Sequence, residues 1–115
     1  MIRTLWPKDS LLSYGRLPNG KVMINWPING NDYYVNAVEQ TEEERTKSFE
    51  KAKLKSLQFL YYLQTDLGFN TYCLSKGIFP TADDFPLIPY LRESRRIRGY
   101  TTLTVNHIAQ PYEQS

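Results

Sequence analysis

Cysteine is nearly absent from this 115-residue sequence, and the single thiol, Cys73, excludes an internal disulfide framework and any zinc site built from cysteine alone. Histidine is as scarce. With His107 alone, a histidine-rich metal centre is excluded, and a Ser-His-Asp arrangement would have to draw on one residue near the C-terminal tail. The six glycines, at positions 15, 20, 30, 68, 77 and 99, never take G-x-G-x-x-G spacing, and no Walker-type phosphate loop occurs. No window approaches the roughly 18 to 20 apolar residues of a membrane span. Met1-Ile2-Arg3-Thr4-Leu5-Trp6-Pro7 does not continue into the apolar core of a secretory signal, so the chain reads as soluble and cytoplasmic. A formal net charge of +2 is too small to single out a nucleic-acid binder, which makes nucleic acid the least favoured partner.

What is present is a globular composition, 41% hydrophobic and 14% aromatic, in a length that suits one domain. Cys73, between Tyr72 and Leu74, reads as a small buried hydrophobe. The basic character is local: Arg92-Glu93-Ser94-Arg95-Arg96-Ile97-Arg98-Gly99 brings four guanidinium groups into seven residues with one carboxylate among them. Arginine stays charged at any working pH and presents a planar fork that fits carboxylate or phosphate oxygens two at a time. Pro86 and Pro89 precede the run and Thr101-Thr102-Leu103-Thr104-Val105 follows it, which predicts extended backbone. Arg92, Ser94, Arg96 and Arg98 would then share one face, and Glu93, Arg95 and Ile97 the other. Two readings stand at this point: an anion-holding strand, or a solvated basic edge strand.

Along the chain, residues 1–38 read as a β-rich hairpin region. Asn19-Gly20 should reverse the chain into Lys21–Trp26, where Val22, Ile24 and Trp26 alternate with Lys21, Met23 and Asn25. Asn29-Gly30-Asn31-Asp32 forms a polar turn that either presents Asn31 and Asp32 to a ligand or is turn chemistry alone. Residues 41–67 read as one long helix. Thr41 and Glu44 have capping-box spacing, Glu42, Glu43 and Glu44 suit the positive end of the dipole, and Gly68 is the natural terminator. Phe49, Ala52, Phe59 or Leu60, Leu63 and Leu67 make an apolar stripe, with Glu43–Lys47 and Glu50–Lys53 as surface pairs. Residues 56–64 are apolar nearly all round, which calls for a larger body about that part of the helix. Residues 69–89 read as loop, with Asp83-Asp84 as loop or capping carboxylates, 90–105 as an arginine-rich β region and 106–115 as tail. The expected fold class is α+β, a small antiparallel sheet packed with one long helix.

Asn25-Trp26-Pro27 with Gly30-Asn31-Asp32-Tyr33-Tyr34, then Ala52-Lys53 leading to Phe59-Leu60-Tyr61-Tyr62-Leu63-Gln64, then Leu87 through Gly99, resembles one family over most of residues 15–108. It is similar to the bacterial FAD-dependent oxidoreductases related to xanthan-lyase-like flavoproteins. The resemblance implies a glutathione-reductase-type flavin fold, FAD as cofactor in the complete protein, and an origin for this chain in the substrate-side part. It implies a flavin- or substrate-facing position for Arg92, Glu93, Arg95 and Arg96, with Asn31 and Asp32 as polar neighbours. The glycine-rich phosphate loop of that family is missing here. Partners on this reading are an anionic small molecule or flavin and a separate flavin-binding domain or second copy of the chain. The alternative is a non-enzymatic module that keeps the arginine cluster to bind an anion or partner.

Overall fold

The computed structural model of the chain describes residues 7–91 and 97–109, which hold three α-helices: α1 (Lys8–Ser13), α2 (Glu42–Thr65) and α3 (Val105–Ala109). A 3-10 turn at Pro18–Gly20 lies between α1 and α2. Among the described residues there is no β-strand, so the expected α+β fold with a small antiparallel sheet is corrected to an architecture whose regular structure is helical. The reason lies in what stands opposite residues 21–26. Asn19 and Gly20 do take positive φ, 65° and 68°, and reverse the chain. Met23 N–H donates to the Gly15 carbonyl at 2.7 Å, Leu17 N–H donates to the Lys21 carbonyl at 2.9 Å, and Arg16 and Val22 form a single antiparallel bridge. A ladder would need residues before Gly15 to stay extended. Those residues are coiled into α1, so pairing stops after one bridge. At the other end, residues 101–104 form no strand and Val105 starts α3.

The side-chain alternation survives without the ladder. Val22, Ile24 and Trp26 all pack on the core, while Met23 and Asn25 are exposed. The core itself is small: Leu11 and Leu12 from α1, Trp26, and Phe59 and Leu63 from α2, with Tyr62, Leu67, Phe69 and Tyr72 packed around them. Full burial of a Leu or Phe side chain contributes roughly 1.5–3 kcal/mol, so these few residues carry much of the stability. Trp26 joins the parts. Its indole N–H donates to the Leu11 carbonyl at 3.0 Å, which satisfies its one polar atom inside the core.

α2 begins at a full capping box. Glu44 N–H donates to Thr41 Oγ1 at 3.3 Å, and Thr41 N–H donates to Glu44 Oε2 at 2.9 Å, so two orphan donors are satisfied reciprocally. Arg45 ties the preceding turn to the helix by donating to the carbonyls of Ala37 (3.0 Å) and Gln40 (3.1 Å). The helix closes where Asp66 and Leu67 N–H both turn back to the Tyr62 carbonyl and Gly68 takes φ of 77°. Its inward face carries Phe59 and Leu63. Half a turn away, Leu54, Leu57 and Tyr61 are 55%, 41% and 67% exposed.

Two glycines are fixed by close approach rather than by turn geometry. A Cβ on Gly15 would stand 1.9 Å from the Met23 carbonyl oxygen, and one on Gly30 would stand 2.1 Å from that of Trp26. Gly77 has open space around it but a φ of +68°. Gly15→Ala and Gly30→Ala should each lower the unfolding free energy in urea by about 3 kcal/mol, since backbone must move. Gly77→Ala should cost about 1 kcal/mol, the penalty of a left-handed residue alone. Equal costs at Gly15 and Gly77 would show that the Gly15–Met23 approach is not made.

Candidate functional site

Arg92, Glu93, Arg95 and Arg96 lie outside the described residues, and the site is therefore built from what leads into them. The chain reaches Arg92 through an arm, residues 86–91, whose Leu87, Ile88 and Tyr90 are exposed. The root of that arm is a tightly bonded loop. Asp83 Oδ1 accepts the Phe85 N–H at 3.1 Å, and the Thr81 hydroxyl donates to the Phe85 carbonyl at 2.6 Å. Asp84 sits at φ of 59°, a left-handed conformation that a short polar side chain tolerates. Its carboxylate takes the Lys76 ammonium and the Gly77 N–H.

The loop is fastened to α2. Lys53 Nζ is 2.6 Å from Asp83 Oδ2 and 3.6 Å from Glu50 Oε1, and it lies 5.9 Å from the centre of the Phe85 ring. An open cleft of about 320 Å³ follows this contact, lined by Lys53, Leu54, Leu57, Leu74, Asp83 and Phe85 among others. Three turns further along α2, Gln64 Nε2 donates to the Tyr72 carbonyl at 2.6 Å. Helical spacing alone pairs Lys53 with Glu50. Thirty residues separate Lys53 from Asp83, and no local spacing rule reaches that far. The two aspartates read as loop carboxylates do act as such, and each is taken by a lysine.

Charge at these pairs follows from the contacts. The Lys53 ammonium bonded to Asp83 holds that carboxyl below the ordinary aspartate value of 3.8, helped by the Phe85 N–H. Lys76 does the same to Asp84, helped by the Gly77 N–H. Both lysines are raised above the ordinary 10.5 by the same partners, so the two sides of each pair agree in direction. Lys76 is 81% exposed but the Asp84 side chain only 11%, whereas Lys53 and Asp83 are 33% and 46% exposed; pairs that water reaches from at least one side contribute little to global stability.

Asn31 is used inside its turn. Its Oδ1 accepts the Trp26 N–H at 2.8 Å and its Nδ2 donates to the Ile24 carbonyl at 3.1 Å, which locks the turn after Trp26. Asp32 is exposed beside it. Cys73 is exposed rather than buried, while its neighbours Tyr72 and Leu74 take the partly covered positions. His107 Nδ1 accepts the Thr104 N–H at 2.9 Å, so this ring serves the start of α3. Among the described residues no cluster of His, Cys, Asp or Glu could hold a metal ion, and no helix is long and apolar enough to cross a membrane.

A dinucleotide needs free backbone N–H groups at a helix N-terminus to receive its pyrophosphate. The start of α2 does not fit that group. Two of its donors, the Thr41 and Glu44 N–H groups, are taken up by the capping box, and Glu42, Glu43 and Glu44 would repel an anion. The Thr41 contacts also hold the Glu44 carboxyl below its ordinary value, which keeps the charge there in place.

The ion pairs give a pH prediction. A carboxyl lowered in the folded chain contributes above its unfolded pKa, and that contribution is lost as pH falls through the folded value. The Phe85 and Gly77 amide proton shifts should therefore titrate with midpoints below the ordinary 3.8. Midpoints at or above 3.8 would mean that the lysine contacts are not formed.

Among known proteins, a family model described as FAD dependent oxidoreductase matches residues 1–115. Comparison with curated proteins and with solved structures gives no match.

Proposed function

Since the chain belongs to the FAD dependent oxidoreductase family, we propose that it forms the substrate- or flavin-facing region of such an enzyme, with the arginine run at 92–98 holding an anionic group. The family match along residues 1–115 is the observation that carries this reading. The density of guanidinium groups supports it, since bidentate forks suit carboxylate and phosphate oxygens. The capped, acidic start of α2 supports a division of labour in which the pyrophosphate is held by a separate flavin-binding domain of the complete polypeptide. The exposed outer face of α2, at Leu54, Leu57 and Tyr61, is apolar in the way expected of a surface that meets another body.

A bound flavin supplies the hydride chemistry in this class of enzyme. On this reading the run that contains Arg92, Glu93, Arg95 and Arg96 orients an anionic substrate and offsets negative charge that develops near it. Asn31 shapes the turn that presents Asp32. A closer kinship with the bacterial xanthan-lyase-like flavoproteins and a soluble, cytoplasmic setting belong to the same reading.

The test is a titration of the full chain with FAD, followed by flavin fluorescence and visible absorbance, beside titrations with riboflavin and inorganic pyrophosphate. Saturable FAD binding, roughly micromolar, should weaken about tenfold in Arg95→Ala and in Arg96→Ala, the loss of one charge-assisted contact. Lys47→Ala, which removes a lysine paired only with Glu43, should leave it unchanged. Pyrophosphate that binds as tightly as FAD would favour a non-enzymatic anion-binding module instead. A folded chain that binds none of the three, or equal losses at Arg95 and Lys47, would discard the assignment.

A further inference from the structure

We infer that the apolar arm, residues 86–91, docks on the outer stripe of α2 in a second copy of this chain, and that the exchange is reciprocal. Two apolar surfaces of the chain stand uncovered among the described residues. One is the stripe of Leu54, Leu57 and Tyr61, which lines an open groove of about 720 Å³ together with Leu60 and Tyr62. Leu54 and Leu57 also line the cleft at Phe85, so the groove begins beside the root of the arm. The other surface is the arm itself, whose Leu87, Ile88 and Tyr90 are 73%, 81% and 80% exposed. No described residue from 86 to 109 is buried, so the described body of the chain does not house the arm.

To lie in its own groove the arm would have to change direction at its root, and the root is bonded on every side. Asp83 accepts the Phe85 N–H, the Thr81 hydroxyl donates to the Phe85 carbonyl, and Lys76 and the Gly77 N–H hold Asp84. Pro86 fixes its own φ and drives Phe85 to extended backbone. The exit of the arm is thereby set, and along it the side chains stand clear of the stripe. A second copy meets no such restriction. It also supplies both halves that are needed, an unfilled groove and an unhoused arm, so a two-fold pair covers all four surfaces at once. The arm is long enough: Pro86 to Leu91 can span about 20 Å, against about 11 Å from Leu54 to Tyr61 along the helix. Area favours the exchange over a pairing of α2 with α2. The stripe and the arm side chains together expose area on the order of the ~800 Å² per partner that a stable interface buries, and the stripe alone exposes under half of it.

The test is sedimentation equilibrium of the full chain over a range of concentrations. The wild-type chain should dimerise with a Kd that is roughly micromolar, the weak end for an interface of this size. Leu57→Glu in the stripe and Ile88→Glu in the arm should each weaken the dimer about a hundredfold, since each places a charge at both contacts. Leu57→Ala and Ile88→Ala should weaken it about tenfold. Helicity by circular dichroism should not change in any of them, because both side chains are exposed in the single chain. An equimolar mixture of the Leu57→Glu and Ile88→Glu chains should associate more tightly than either alone, because the intact arm of the first meets the intact groove of the second. No gain in the mixture would overturn the inference. So would a dimer that Leu57→Glu breaks and Ile88→Glu leaves intact, which is α2 paired with α2, or a dimer that neither change weakens. A wild-type chain that is monomeric throughout would overturn it too, and would leave the stripe to its own arm or to another domain. No flavin enters the measurement, so its outcome is independent of whether the arginine run holds an anion.

Discussion

Trp26 is held at both ends, and most of the described structure is arranged about it. Its indole N–H donates to the Leu11 carbonyl, its backbone N–H donates to Asn31 Oδ1, and its ring is buried against Leu11, Leu12, Phe59 and Leu63. The Tyr14 ring stands 5.4 Å away, tilted by 50°. One residue thus couples α1, the turn at 27–32 and the buried face of α2. Large aromatic side chains suit such a position because one ring removes more apolar surface from water than any aliphatic side chain, while the N–H fixes its orientation. Gly30 belongs to the same constraint, since its missing Cβ is what lets the turn close over the Trp26 carbonyl.

Local rules made some of this legible in the sequence. The capping box at Thr41 and Glu44, the reversal at Asn19-Gly20 and the inward set Val22, Ile24 and Trp26 depend on neighbours within four residues, and each is present. The absence of a sheet is not legible in residues 21–26, because alternation reports which side chains are buried, not whether a partner strand exists. Residues 21–26 alternate against helices instead of a strand. α1 is opened by Pro7 and buries Leu11 and Leu12, but six residues show too little periodicity to mark a helix in the sequence. Of the site, the aspartates at 83 and 84 were legible as loop carboxylates, but their lysine partners were not. Lys53–Asp83 spans 30 residues and depends on the path of the whole loop.

α2 has to satisfy two environments. Its inner stripe completes the small core, and its outer stripe at Leu54, Leu57 and Tyr61 stays exposed. An amphipathic helix of a self-sufficient domain would put charge at those outer positions, as this helix does in its first half with Glu43, Lys47 and Glu50. The change from charged to apolar along the same face separates a solvated half from a half suited to contact. That contrast agrees with membership of a family whose members bind a large cofactor.

The distribution of charge bears on the arginine run. Asp83 and Asp84 are the nearest acidic residues before it in sequence, and both are already engaged, one by Lys53 and one by Lys76. Each already holds a lysine ammonium and a backbone N–H, so an arginine would have to share the carboxylate with a lysine or displace it, for little net gain. The carboxylates that stand closest in the chain are thus poor candidates for neutralising the run. Glu93 alone is interleaved with the four arginines, which leaves the segment a net positive charge. Local carboxylates already engaged by lysines, beside a run that is net positive in sequence, support the proposal that the run receives an anion supplied from outside the segment.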